Sequence, residues 1–332
     1  MSDSGLAERP FQPAPEIQAW LNEVNRLGND LDTMTRETVA AVRSVRELRA
    51  LLFLWQIPVE SVLDFLVPDA EYPVSVRIYA PQNRQLARDE KLPVVVFYHG
   101  GGWTLGNPNL YDPVTRALAR QIPALVLSVD YRLAPENPFP AAVRDADTVL
   151  RWVFRHAEDF GGDATRVVVA GDSAGGTLAT VAARHARAEY GSLVVLQVLF
   201  YPSVNISCLD YDSYRQFGKD HLLTQNAVER FREFYLPNSS DWTHPDASPL
   251  LTEDLSGMPP TLLIGAGCDP LRDEGQAYAQ KLREHGNKVI YRLEPQLPHA
   301  FLNLYNLEPA CSPYAEGVLG YAAGIVREVL RY

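Results

Sequence analysis

A Gly-Asp-Ser-Ala-Gly-Gly motif at residues 171–176 is the strongest chemical signal in the chain. It follows an apolar, β-branched run at 167–169 and precedes a helix-compatible segment at 177–187. This order is typical of a strand, a sharp turn with serine at its apex, and a helix. Glycine suits such a turn because neighbouring backbone leaves no room for a Cβ atom. The chemistry indicated is nucleophilic attack by the Ser173 hydroxyl, although the motif alone also fits an ordinary glycine-rich turn.

A serine nucleophile requires a general base, and the base requires an acid that orients it. Among the seven histidines, His299 lies in a loop after an apolar, strand-like segment that ends at residue 293. Asp269 follows the strand-like segment 261–264 in the same way. Because the carboxyl ends of parallel strands meet at one edge of a sheet, these side chains are expected to converge on Ser173. The other histidines fall in helical segments, in an irregular region or in the glycine loop described next.

A His-Gly-Gly-Gly-Trp sequence at 99–103 directly follows a buried-strand pattern at 93–98. Consecutive glycines allow backbone N–H groups to turn toward a ligand without obstruction by side chains. Together with the N–H of Ala174, this loop is expected to bind the negative oxygen of a tetrahedral intermediate. The alternative is a flexible glycine loop without a chemical role.

The pattern around these motifs indicates an α/β fold. Nearly continuous apolar runs recur at 93–98, 124–129, 167–170, 193–200 and 261–264, with helical segments at 109–121, 141–158, 176–189, 275–285 and 314–330. Strands that alternate with helices predict a mostly parallel sheet covered on both faces. Two earlier segments, 59–67 and 72–79, predict an antiparallel hairpin. The last strand, 288–293, alternates in polarity and is predicted to lie at an edge, where it offers a surface for a homodimer.

Two regions depart from this alternation. Residues 14–56 predict two helices, the second carrying Leu48 inward and Arg43 outward. This piece is either a docked extension or a lid over the sheet, since both require an apolar underside. Residues 203–259 are rich in Asp, Ser, Tyr and Pro and contain one predicted helix, at 224–235. We interpret them as an insertion over the carboxyl edge of the sheet, where ligands bind in such folds.

Composition excludes several classes of partner. The 332 residues carry a formal net charge of −11, which disfavours nucleic acid and anionic membrane surfaces. Three widely separated cysteines predict neither a disulfide framework nor a zinc site, and indicate a reducing compartment. No segment has the pattern of a secretory signal or a transmembrane helix. A cytoplasmic protein that needs no metal or organic cofactor is therefore expected.

The motifs at 99–102, 130–136, 139–142, 171–176 and 269–275 together resemble the hormone-sensitive-lipase family of esterases, especially its bacterial members. This resemblance implies the α/β-hydrolase fold, with residues 57–202 and 241–332 forming the catalytic domain and residues 1–56 and 203–240 forming a helical cap. It implies a triad, oxyanion donors and an anchor for the donor loop: Ser173 as nucleophile, Asp269 as acid, His299 as base, Gly101, Gly102 and Ala174 as donors, and His99 as anchor. One residue departs from the family pattern, since Ala300 replaces the usual glycine after the histidine.

The expected activity is hydrolysis of short- to medium-chain acyl esters of small molecules through an acyl-enzyme. The aromatic residues Trp103, Tyr211, Tyr214 and Phe217 are the expected pocket lining, with core packing as the alternative. A closely related alternative activity is an amidase or a deacetylase of small acylated compounds. A non-catalytic receptor on the same fold is a further alternative, because fold alone does not establish catalysis. The presence of His299 and both other triad members argues against it.

Overall fold

A computed structural model of the chain describes residues 11–27, 30–52, 57–68, 72–82, 91–191, 193–305 and 312–331. These residues form eight strands and ten α-helices, joined by turns and short 3-10 helices. The strands are β1 (Ser61–Val67), β2 (Val74–Ala80), β3 (Leu92–Tyr98), β4 (Leu125–Asp130), β5 (Gly162–Asp172), β6 (Val194–Phe200), β7 (Thr261–Cys268) and β8 (Val289–Pro298). The helices are α1 (Pro15–Leu27), α2 (Asp30–Thr33), α3 (Val39–Leu52), α4 (Asp112–Gln121), α5 (Ala141–His156), α6 (Ala174–Tyr190), α7 (Asp212–Phe217), α8 (Gln225–Tyr235), α9 (Arg272–Glu284) and α10 (Ser312–Leu330).

All eight strands belong to one sheet with the order β1-β2-β4-β3-β5-β6-β7-β8. The pairs β1–β2 and β2–β4 are antiparallel, and the remaining neighbours are parallel. The predicted mostly parallel sheet, the N-terminal hairpin and the edge position of the last strand are confirmed. Dimerisation through β8 stays a prediction.

Helices cover both faces of this sheet. One buried cluster joins the sheet to α5, α6 and α9, and a second joins its other face to α1, α4 and α10. Every residue of β3 is buried because both of its faces are covered, which explains its continuous apolar sequence. Because β5, β7 and β8 run parallel, their carboxyl ends lie at the same edge of the sheet. Each of these strands is followed directly by one of the candidate catalytic residues.

The N-terminal helical region differs from the sequence prediction. The second helical pattern is divided into α2 and α3 by a turn around Thr35, where the Val39 N–H donates to the Thr35 carbonyl. Leu48, predicted to face inward, is 60% exposed. Arg43, predicted to face outward, instead donates hydrogen bonds to backbone carbonyls of the core. The ends of the proposed cap segment, residues 1–10 and 53–56, lie outside the described residues.

The region 203–259 contains two helices rather than the one predicted. The 224–235 helix is present as α8, and the additional helix is α7. Thr224 caps α8 by accepting a hydrogen bond from the Ala227 N–H. The shorter α7 was missed because a six-residue segment with alternating polar and aromatic residues carries too little helical periodicity to recognise.

Candidate active site

Ser173 occupies a strained turn between β5 and α6. Its backbone has φ 51° and ψ −122°, a conformation that places the side chain at the apex of the turn. A Cβ atom at Gly175 would lie 2.0 Å from the Tyr98 carbonyl oxygen, and one at Gly171 would lie 2.3 Å from the Gly175 carbonyl oxygen. The two glycines are therefore required by close backbone approach, as the motif predicts.

The three predicted catalytic side chains form one hydrogen-bonded chain. His299 Nε2 lies 2.9 Å from Ser173 Oγ, and His299 Nδ1 lies 2.8 Å from Asp269 Oδ2. Exposure is 8% for Ser173, 6% for His299 and 0% for Asp269. Asp269 is further fixed by the Leu271 N–H, which donates to its Oδ1 at 2.8 Å. This geometry allows the imidazole to accept the serine proton while the carboxylate holds the ring.

Two peptide carbonyls of the glycine loop after β3 are held by hydrogen bonds. His99 Nδ1 donates to the Gly100 carbonyl at 2.8 Å, and the Leu105 N–H donates to the Gly101 carbonyl at 2.8 Å. In a trans peptide the C=O and the following N–H point in opposite directions. Fixing these carbonyls therefore orients the N–H groups of Gly101 and Gly102. Within the described residues, neither N–H donates to another protein atom.

His99 is buried, and its ring stacks on Tyr131 with centroids 4.2 Å apart. Burial lowers the pKa of His99 to about 4, so the imidazole is neutral at pH 7. The ring therefore acts as a donor to the loop through Nδ1 and adds no charge to the site. This arrangement fits the anchoring role that the family resemblance implies for His99.

Asp172 is the residue of the motif to which sequence reasoning gave no role. Its Oδ1 accepts a hydrogen bond from the Gly100 N–H at 2.7 Å, and its Oδ2 accepts from Tyr111 Oη at 3.0 Å and Tyr201 Oη at 3.3 Å. Burial raises the pKa of Asp172 to about 6, against the lowering effect of these donors. Tyr201 Oη also accepts from the Leu302 N–H at 3.2 Å, in the loop that follows His299. Asp172 thus joins three loops of the site.

A cavity of about 620 Å³ opens onto Ser173 and His299. Its wall is mainly apolar, and the N-terminal helices and α8 form part of it. Residues from these helices include Trp20, Val24, Leu31, Val42, Val45, Arg46, Val228 and Phe231. Trp103 also lines the cavity, where it stacks on Tyr235 with centroids 4.5 Å apart.

Tyr211, Tyr214 and Phe217, predicted to line the pocket, are not among the residues that line this cavity. They belong to the start and the inner face of α7, which packs toward α9. Tyr211 Oη accepts a hydrogen bond from Asn205 at 2.7 Å. The Phe217 ring lies against the Arg272 guanidinium, 5.3 Å from the ring centroid. Sequence spacing cannot reveal which side of a short helix meets the core.

Ala300, the residue that departs from the family pattern, adopts a left-handed conformation with φ 59° and ψ 26°. Its carbonyl accepts a hydrogen bond from the Asn303 N–H at 2.9 Å, and the residue lines the cavity beside His299. Left-handed backbone favours glycine, which explains the usual family residue at this position. The loop therefore keeps a glycine-like backbone despite the added Cβ.

Comparisons with known proteins agree with this fold. A family profile described as alpha/beta hydrolase fold matches residues 95–303. Carboxylic ester hydrolase LipN of Mycobacterium tuberculosis is 40% identical over 299 residues, which cover 88% of this chain and 78% of that protein. The chain belongs to the hormone-sensitive-lipase family of esterases, within the α/β-hydrolase superfamily. It is a carboxylic ester hydrolase.

Further relatives have the same activity class in their names. Carboxylesterase NlhH of Mycobacterium tuberculosis is 41% identical over 242 residues, covering 72% of this chain and 74% of that protein. The solved esterase of Pyrobaculum calidifontis superposes with a TM-score of 0.86 at 35% identity, covering 96% of this chain and 99% of that chain. A thermostable esterase of Pseudomonas putida superposes with a TM-score of 0.89 at 28% identity, covering 96% and 98%. In the part of the chain that the structure describes, no helix is long and apolar enough to cross a membrane.

Proposed function

We propose that this esterase hydrolyses short- to medium-chain acyl esters of small molecules through a covalent acyl-enzyme on Ser173. The observation that carries the proposal is the continuous hydrogen-bonded chain from Ser173 Oγ through His299 to Asp269, with contacts of 2.9 and 2.8 Å. It satisfies the geometric requirement for a nucleophile activated by an oriented base. No metal or organic cofactor takes part in this mechanism.

In the proposed acylation step, His299 accepts the Ser173 proton as Oγ attacks the ester carbonyl. The protonated imidazole then donates that proton to the leaving alkoxide, which departs as the alcohol. A water molecule repeats the sequence on the acyl-enzyme, with His299 first as base and then as acid, and releases the carboxylic acid. Asp269 holds the ring orientation and stabilises the imidazolium without taking up the proton itself.

The proposed oxyanion donors are the N–H groups of Gly101, Gly102 and Ala174. Ala174 is the first residue of α6, so its N–H has no carbonyl partner within the helix. The N-terminal end of the helix also carries partial positive charge, which favours a developing oxyanion. These fixed dipoles stabilise charge in the transition state and cost little reorganisation during the reaction.

The size and polarity of the cavity support a small, apolar acyl group. A volume of about 620 Å³ falls within the usual range of small-molecule pockets and suits a substrate with a short or medium chain. We further propose that residues 1–56 and 203–240 act as the cap, because α1, α2, α3 and α8 supply residues to the wall of the cavity that holds Ser173.

The test compares nitrophenyl esters from acetate to palmitate with the matched nitroanilides, using the wild type and Ser173→Ala. We expect the highest kcat/KM among the short and medium esters and little anilide turnover. Ser173→Ala should lose ester hydrolysis by a factor on the order of 10⁴ or more while retaining the wild-type circular dichroism spectrum. Substantial turnover by that variant would contradict the assignment of Ser173 as the nucleophile. A higher kcat/KM on the anilides than on the esters would indicate an amidase instead.

A further inference from the structure

Arg43 of α3 is bound to the loop that carries the candidate oxyanion donors. Its Nε donates to the Thr104 carbonyl at 2.8 Å, and its Nη2 donates to the Ala134 carbonyl at 2.7 Å. Two further contacts of 2.9 Å join the guanidinium to the Glu136 carboxylate. The Arg43 side chain is 24% exposed, whereas that of Glu136 is 52% exposed. The carbonyl contacts are therefore the more protected ones.

The Thr104 carbonyl connects Arg43 to the donor loop through two peptide units. This carbonyl shares a peptide with the Leu105 N–H, which donates to the Gly101 carbonyl at 2.8 Å. The Gly101 carbonyl in turn shares a peptide with the Gly102 N–H, one of the proposed oxyanion donors. Each trans peptide points its N–H away from its C=O. The chain of bonds therefore runs from the guanidinium to the oxyanion position.

We propose that Arg43 is a positioning residue that strengthens the Gly102 N–H as an oxyanion donor. A charged donor on the Thr104 carbonyl polarises that peptide and makes the Leu105 N–H a stronger donor. The Leu105 N–H polarises the next peptide in the same sense. The positive charge of Arg43 thereby acts on the transition state without touching the substrate. This inference rests on the proposed function, since it requires an oxyanion to form near Gly102.

The location of Arg43 gives the N-terminal helices a second role. On the same helix, Val42 and Val45 line the cavity, so α3 contacts both the substrate space and the donor loop. The helix then does more than cover the pocket, because the position of α3 determines where Arg43 holds the Thr104 carbonyl. Loss of Arg43 should consequently impair the chemical step more than substrate binding.

The test measures kcat and KM on nitrophenyl butyrate for Arg43→Ala, Arg43→Gln and Arg43→Lys. Removal of a direct oxyanion donor costs about 10²–10³ in kcat, so an indirect contact is expected to cost about tenfold in Arg43→Ala. KM should stay within about twofold of the wild type. Lys retains the charge and should recover most of the rate, whereas Gln retains only a neutral donor and should recover less. If Arg43→Ala does not fold, the Lys and Gln variants provide the same comparison.

A trifluoromethyl ketone, which forms an anionic hemiketal on the serine, supplies a second readout. Its inhibition constant should rise in Arg43→Ala by about the factor lost in kcat. The matched controls are Arg26→Ala, an exposed arginine of α1 paired with Glu23, and Glu136→Gln, and both should keep kcat within about twofold of wild type.

Two results overturn the inference. An unchanged kcat with a raised KM in Arg43→Ala would mean that Arg43 only attaches α3. An equal loss of kcat in Glu136→Gln would mean that the ion pair, rather than the carbonyl contact, matters. Parallel assay of Ser173→Ala separates this question from the proposed function. Activity in Ser173→Ala contradicts the function itself, whereas an inactive Ser173→Ala with a fully active Arg43→Ala contradicts the role of Arg43 alone.

Discussion

The Asp172 carboxylate accepts a hydrogen bond from the Gly100 N–H at 2.7 Å, and this bond joins the turn that carries Ser173 to the loop that carries two proposed oxyanion donors. The proposed nucleophile and the proposed donors of the glycine loop lie on segments more than 70 residues apart in sequence. A tetrahedral intermediate requires both at fixed separation, since small displacements of donors cost much of their effect. Asp172 supplies a direct connection between them.

Asp172→Asn is expected to lower kcat by about tenfold with little change in KM. The amide oxygen can still accept the Gly100 N–H, but the amide nitrogen cannot accept the hydroxyl protons of Tyr111 and Tyr201. The two tyrosines would then shift, and with them the donor loop and the loop after His299. Tyr201→Phe removes only one of these hydroxyls and should have a smaller effect. Steady-state kinetics on a nitrophenyl ester test this, and a wild-type kcat in Asp172→Asn would contradict it.

His185 provides a prediction about stability and pH. Its Nδ1 and Nε2 lie 2.9 Å from carboxylate oxygens of Asp147 and Asp246, respectively, and the neighbouring Arg184 and His244 also face Asp246. The two carboxylates raise the pKa of His185 to about 9. A raised pKa in the folded protein means that the ion pairs stabilise it fully below the unfolded value of about 6.5. That stabilisation is lost as the pH rises through about 9.

His185→Gln should therefore lower the melting temperature at pH 7 and have a smaller effect at pH 10. Differential scanning calorimetry at both pH values measures the two differences. The control is His156→Gln, because His156 forms an ion pair with a single described carboxylate, that of Asp159, and the two side chains are 46% and 74% exposed. An equal loss of melting temperature at pH 7 and pH 10 would show that His185 contributes packing rather than charge.

Ala300→Gly is expected to stabilise the esterase. The left-handed conformation at φ 59° costs alanine about 1 kcal/mol or more relative to glycine. Glycine loses more backbone entropy on folding, by about 0.4–1 kcal/mol, so the net gain should be about 0.5 kcal/mol. Ala40→Gly, on the exposed side of α3, is the matched control and should instead destabilise by about 1 kcal/mol. Urea unfolding measures both, and a loss of stability in Ala300→Gly would contradict the argument.

The sequence predicted those features that repeat over several residues or that lie in a compact motif. Continuous apolar runs predicted the parallel strands β3 to β7, and their positions after predicted strands singled out His299 and Asp269. It could not predict contacts made by single side chains across the fold. Arg43 has the polarity of a solvent-exposed helical residue, yet its partners Thr104 and Ala134 are 61 and 91 residues away.

Gly102 and Phe231 offer a test of how closely α8 packs against the loop that carries the proposed oxyanion donors. A Cβ atom at Gly102 would lie 2.2 Å from Phe231 Cγ, and the glycine has φ +60°. Gly102→Ala should therefore displace the loop and lower kcat by a factor on the order of 10²–10³, similar to the loss of one oxyanion donor.

Because the clash is with a side chain, removing that side chain in Gly102→Ala/Phe231→Ala should restore part of the rate, by about tenfold. Phe231→Ala alone completes the double-mutant cycle and should mainly raise KM, since the ring lines the cavity. If the losses in kcat are additive instead, the positive φ rather than the Phe231 contact is what excludes a side chain at position 102.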